Sequence, residues 1–128
     1  MTTQRDQHYR ELLDRFEQVA RANLETPARV CDLCRMAEIN RRTLSRAFRA
    51  VRGTTPHHYL QALRLDEVKR VLSSGDGSVT QVAMRFGFRE LGRFAMQYRK
   101  AFGESPSETK RRSAIRARGS VVERCAES

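Results

Sequence analysis

Five arginines fall between positions 41 and 52 of this chain: Arg41, Arg42, Arg46, Arg49 and Arg52, with Ser45 among them. A guanidinium is a planar, permanently charged fork of N–H donors, matched to paired acceptors such as guanine N7 and O6 or two phosphate oxygens. A thinner version of the pattern recurs about fifty residues later, where Arg89, Arg93 and Arg99 surround Met96. The other reactive side chains are less organised. Cys31 and Cys34 offer two ligands where structural zinc takes four, Cys125 is remote, and a whole helix separates them from His57-His58. An odd number of cysteines argues against a disulfide framework. His8 and the His57-His58 pair have no acid or nucleophile at a recognisable spacing, and no glycine-rich phosphate loop occurs. Neither a catalytic residue nor a cofactor or metal site is expected, so the chain does not read as an enzyme.

Bulk composition points the same way. Twenty-five Lys and Arg against 15 Asp and Glu leave a formal charge of +10 over 128 residues, and almost all of the bases are Arg. Such a surface favours a polyanionic partner, because each neutralised phosphate releases condensed counterions. With 39% hydrophobic residues there is enough apolar material for one ordinary domain or two very small ones. No apolar run approaches the ~20 residues of a membrane span, and early charges interrupt any signal-peptide core. A cytoplasmic location follows, with no membrane partner.

The elements that must hold these arginines are helices. Tyr9, Leu12, Leu13, Phe16, Val19, Ala20 and Leu24 recur at helical spacing, predicting a helix over roughly 6–24. Val30, Leu33, Cys34 and Ala37 form one face of a short helix, about 29–37. Asn40 is a good N-cap for a helix over about 41–52, whose inner stripe is Leu44, Ala47, Phe48 and Val51 and whose stop is Gly53. Thr55-Pro56 opens a longer helix to about Ser73. Ser78-Val79-Thr80-Gln81 is a capping box for a fifth helix ending near Phe86. A sixth, about 90–102, buries Phe94, Ala95, Tyr98 and Phe102. Ser105-Pro106-Ser107-Glu108 is a second capping box and starts a seventh. The expected fold is all-α, with about seven helices and no strand.

One half echoes the other. Leu44 to Arg49 and Gly53 to Pro56 align with Phe94 to Arg99 and Gly103 to Pro106 at an offset of fifty. Cys34 and Ile39 align with Ala83 and Phe88 at forty-nine, so one residue has been added in the second turn. Each unit reads as short helix, tight turn, longer Arg-bearing helix and glycine stop: a helix-turn-helix, whose second helix enters the DNA major groove. The expected organisation is a first subdomain over 1–55, a linker helix over 56–74, a second subdomain over 75–112 and a frayed basic tail over 113–128. At ~1.5 Å per residue the linker spans about 27 Å, suited to recognition helices about one turn of B-DNA apart.

These residues resemble the DNA-binding domain of the AraC/XylS family of bacterial transcription regulators. The likeness covers roughly 10–112 and is strongest over Arg42 to Arg49, from Tyr59 to Arg64-Leu65, and from Val79 to Lys110, including Gly87-Phe88, Gly92 to Ala95 and Phe102 to Ser107. It implies two tandem helix-turn-helix subdomains joined by a linker helix, binding asymmetric promoter or operator sites in the bacterial nucleoid. RNA polymerase is a candidate further partner. So is an effector-sensing domain, for which 128 residues leave no room. Three departures from the family pattern stand out. Glu38 replaces a turn glycine, so that turn is expected to be less tight. Arg29 stands at the usual capping position of the second helix. Ala95 and Met96 replace polar residues often used for base contact.

The expected base contacts are Arg42, Ser45, Arg46, Arg93 and Met96; the expected backbone contacts are Arg41, Arg49, Arg52, Arg89 and Arg99. The first unit should then carry most hydrogen-bonded readout, and the second thymine-methyl and phosphate contacts. Gly92 costs a helix ~1 kcal/mol against Ala, implying either close approach by DNA or relief of helix packing. Two other classes compete: an adaptor whose basic helices bind an acidic protein, and a cysteine-based redox or metal protein.

Overall fold

The computed structural model describes residues 4–115. Its helices are α1 (Gln4–Ala22), α2 (Val30–Ala37), α3 (Arg41–Arg52), α4 (Pro56–Ser74), α5 (Val79–Arg85) and α6 (Leu91–Phe102). A seventh, α7, runs from 106 to 115, where the described residues end. No strand occurs among the described residues. The ends of α1 to α6 fall within two residues of the periodicity-based reading. α7 is longer than expected: it continues past Arg112 to 115, with Ser113 buried. The remainder of the expected tail, 116–128, lies outside the described residues.

The chain divides into two compact units, 1–64 and 65–128. The division falls inside α4, so the helix read as a separate linker gives one half to each unit. In the first unit α1 is a brace. It buries Tyr9, Leu12, Leu13, Phe16 and Ala20 against α2 and α3. Phe16, with no exposed surface, meets Phe48 edge-on at 5.5 Å between ring centroids. Burying such a ring contributes ~1.5–3 kcal/mol. Two arginines tie loose carbonyls down: Arg15 donates to the Ala37 carbonyl at the end of α2. Arg64 Nη2 donates to the carbonyls of Thr26 (3.1 Å) and Ala28 (2.8 Å) in the α1–α2 connection.

In the second unit the other half of α4 buries Val68, Val71 and Leu72, and Val82, Ala83, Phe86, Phe88, Phe94 and Tyr98 are buried as well. Its rings form a run, Phe88–Phe94 at 4.8 Å, Phe94–Tyr98 at 5.8 Å and Tyr98–Phe102 at 4.7 Å. α7 is held by polar contacts. Thr109 Oγ1 donates to Glu104 Oε1 at 3.0 Å, Arg112 pairs with the same carboxylate, and Lys110 Nζ donates to the Gly75 carbonyl at 2.6 Å. Gly75 has φ +87°, a left-handed conformation that favours glycine.

Candidate nucleic-acid interface

Each unit positions its arginine helix by a short helix, a tight turn and two caps. In the first, α2 starts at Arg29, whose side chain accepts no cap hydrogen bond. Asp32 takes over part of the task, its carboxylate accepting the Arg29 N–H at 2.9 Å near the positive end of the helix. The short helix is fixed from the inside by Leu33, Cys34 and Ala37, all buried. Glu38 then turns the chain with φ +57° and ψ +46°, and the Ile39 N–H reaches the Cys34 carbonyl at 2.9 Å. The expectation of a looser turn is corrected: this one closes fully, with Glu38 held in the left-handed region that favours glycine. Asn40 Oδ1 accepts from the N–H groups of Arg42 (2.9 Å) and Thr43 (3.3 Å), and Gly53, at φ +65°, ends α3.

The second unit repeats the turn, although on α6 the Glu90 side chain makes no cap bond. Ser78 and Gln81 form the reciprocal capping box on α5, with bonds of 3.0 and 3.1 Å. Gly87 turns at φ +86° and the Phe88 N–H reaches the Ala83 carbonyl at 2.9 Å. Small buried Cys34 and Ala83, and buried Ile39 and Phe88 in the turns, stand where the repeat places them. The Leu44 N–H to Asn40 carbonyl bond is matched fifty residues on by Phe94 to Glu90, both at 2.9 Å. An offset of forty-nine before the turn and fifty after it places the extra residue between Phe88 and Glu90, where Arg89 stands.

Opposite the buried stripe Leu44, Ala47 and Phe48, the side chains of Arg41, Arg42, Ser45, Arg46, Arg49 and Arg52 are all exposed. Positions 42, 45, 46 and 49 follow i, i+3, i+4, i+7 spacing, so they share one face. Arg52 differs from the rest. Its guanidinium lies over the Tyr59 ring at 5.2 Å, at the joint between α3 and α4. Around α6, Arg89, Arg93, Met96 and Arg99 are exposed opposite Phe94 and Tyr98. Gly92 is also exposed, and a Cβ there would meet nothing within 4 Å. Relief of helix packing is therefore excluded as the reason for that glycine. Leu91, absent from the expected contacts, is 38% exposed beside it; its alignment with Arg41 was the available signal.

The polar groups behind this surface hold it in place. Burial pushes the Glu17 carboxyl up, but hydrogen bonds from Tyr59 and Arg21 and the charges of Arg21 and Arg52 outweigh it, leaving it below its ordinary value. α1 is thereby pinned to the end of α3 and the start of α4. Burial pushes the Cys34 thiol up, with Arg41 opposing and Cys31 reinforcing, so it stays a protonated core group rather than a thiolate ligand. Among the described residues no group of three or more His, Cys, Asp or Glu is placed to hold a metal ion. Nor is any described helix long and apolar enough to cross a membrane. Cys125 lies outside the described residues.

A family model described as a helix-turn-helix domain matches residues 33–112. A probable AraC family transcriptional regulator from Rhodopseudomonas palustris superposes with a TM-score of 0.73 at 34% identity, covering 80% of this chain and 97% of that one. The chain belongs to the AraC/XylS family. The crystallised DNA-binding domain of AdpA, a global transcriptional factor in complex with a target DNA, is 32% identical with a TM-score of 0.68, covering 84% of this chain and 94% of that one. Among curated AraC/XylS-type relatives, a XylDLEGF operon transcriptional activator of Pseudomonas putida is 39% identical over 102 residues, 75% of this chain. The match spans 32% of that activator's length. These relatives are transcription regulators and not enzymes.

Proposed function

We propose that this chain binds specific double-stranded promoter DNA as the DNA-binding part of a bacterial transcription regulator, inserting α3 and α6 into successive major-groove segments. The observation that carries the reading is the repeat itself. Two helices of equal length, each entered by a tight turn and ended by a left-handed glycine, both present exposed arginines opposite a buried face. A solvated basic surface has no need of a tight turn and a braced helix built twice over, whereas a helix that enters a major groove does. The AdpA domain, solved on its target DNA, has the same fold.

In this reading Arg42 and Arg46 make bidentate contacts to base edges with Ser45 between them, while Arg93 and Met96 read bases in the second unit. Arg41, Arg49, Arg89 and Arg99 hold phosphates. Arg52 joins them because stacking on Tyr59 occupies the face of its guanidinium and leaves the N–H edge available. The first helix-turn-helix lies within 1–55 and the second within 75–112, with α4 as the linker. RNA polymerase and an effector-sensing domain outside these residues complete the set of partners, in the cytoplasm at the nucleoid.

The test is a binding-site selection from genomic duplex fragments with the purified chain. Recovery of one sequence family bound at least ~10³-fold better than random duplex supports the reading. Equal, salt-sensitive binding to any polyanion would overturn it and favour the adaptor alternative.

A further inference from the structure

We infer that the apolar strip of α6 around Met96 reads thymine through its methyl group, so that a T·A pair specifies the positions beneath that strip. This deepens the DNA-binding reading above and rests on it. α3 and α6 have the same length and corresponding cap positions, Asn40 with Gly53 and Glu90 with Gly103. An offset of fifty therefore relates them position by position. At that offset Arg41, Arg42 and Arg46 become Leu91, Gly92 and Met96, and Ser45 becomes Ala95. Every charged group toward the start of the exposed α3 face is replaced by an uncharged one. Arg49, further along, is kept as Arg99. The base-reading positions 42, 45 and 46 have thus lost their donors, as has position 41, while Arg93 stands where α3 has Thr43.

What remains on α6 is an exposed apolar strip. Met96 is 74% exposed and Leu91 38%, and Gly92 between them leaves open space where a Cβ would be. A scattered exposed methionine is ordinary on any protein surface. These residues are different because they occupy the positions of the arginines of a recognition helix. Apolar side chains cannot answer the hydrogen-bonding edges of guanine or adenine. The apolar landmark of the major groove is the thymine C5-methyl group. Gly92 adds nothing to shield it, so the helix can approach to methyl-contact distance. Exposed Arg89 and Arg99 at its ends supply the charge that holds the strip against the duplex, with Arg93 beside it reading a base of its own.

The experiment starts from the selected site. The half beneath the second unit is the one whose base preference survives Arg46→Ala. In synthetic duplexes each thymine there is replaced in turn by uracil, which pairs identically but lacks the methyl group. One or two replacements should weaken binding about four-fold each, the value of burying one methyl-sized group. Met96→Ala should abolish the thymine–uracil difference at one of them, and Met96→Arg should move the preference there from thymine to guanine. The inference is overturned if uracil is accepted without loss throughout that half, or if Met96→Ala leaves the discrimination intact. A selection that enriches no sequence would instead sink the DNA-binding reading, before any uracil duplex is made. Met96 is mostly solvated, so its variants should fold normally.

Discussion

The Tyr98 hydroxyl lies 2.7 Å from Thr109 Oγ1, buried, at the repeat position where the Phe48 and Tyr59 rings meet with centroids 5.0 Å apart. The same junction, between a recognition helix and the helix after it, is thus closed by ring packing in one unit and by a hydrogen bond in the other. The direction of that bond follows from the next contact. The Glu104 carboxylate only accepts, so Thr109 donates to it at 3.0 Å and Tyr98 must donate to Thr109. Burial pushes the Tyr98 pKa upward, which keeps the phenol protonated as this donor.

Tyr98→Phe should therefore remove one hydrogen bond without breaking the Thr109–Glu104 contact, at a cost of ~1 kcal/mol. Thr109→Val should cost more, up to ~3 kcal/mol, because it leaves both the buried phenol and Glu104 short of a partner. Urea unfolding followed by circular dichroism measures both. Equal losses in the two variants would contradict the chain of donors described.

Glu38 and Gly87 do the same turn, at φ +57° and φ +86°. A side chain in that region costs roughly 1–2 kcal/mol, part of which glycine returns through the greater freedom of its unfolded chain. Glu38→Gly should raise stability by about 0.5–1 kcal/mol, and Gly87→Ala should lower it by at least ~1 kcal/mol. Thermal melts of the two variants, with opposite shifts in midpoint, are the expected result.

Glu17 gives the first unit an acid-sensitive joint. Its pKa is lowered in the folded protein, so its stabilising effect is fully present above the unfolded-state carboxylate value of about 4.3 and disappears as pH falls through the folded value. Glu17→Gln should destabilise the protein at neutral pH and flatten its acid unfolding profile below about pH 4.3. Tyr59→Phe should shift that profile in the same sense, since it removes one of the bonds holding the carboxylate charged. An unchanged profile in both variants would remove Glu17 from the joint.

Arg46→Ala and Arg49→Ala should separate two modes of contact. The first should cost ~1–3 kcal/mol of binding and relax preference at one base pair. The second should weaken every duplex alike and reduce the steepness of the logarithmic salt dependence by about 0.9. Titrations at several salt concentrations against the selected site and a scrambled one distinguish them.

Local rules made the helices, their caps and the repeat legible without coordinates. Apolar residues at helical spacing, Asn40 and Ser78 as caps and Gly53 and Gly103 as stops act through bonds spanning only a few residues. The two offsets likewise located the added residue in the second turn. Tertiary structure decided what depends on neighbours distant along the chain. Arg29 and Glu38 are poor local choices, yet α2 starts and stops where a better sequence would, because buried Leu33, Cys34 and Ala37 hold it. Side-chain type alone put Arg52 with the phosphate contacts; its ring contact with Tyr59 depends on how α4 follows α3. Gly92 was ambiguous until the open space around it was visible. Periodicity reports which face of a helix turns inward; what stands opposite the outer face is settled only when distant segments pack.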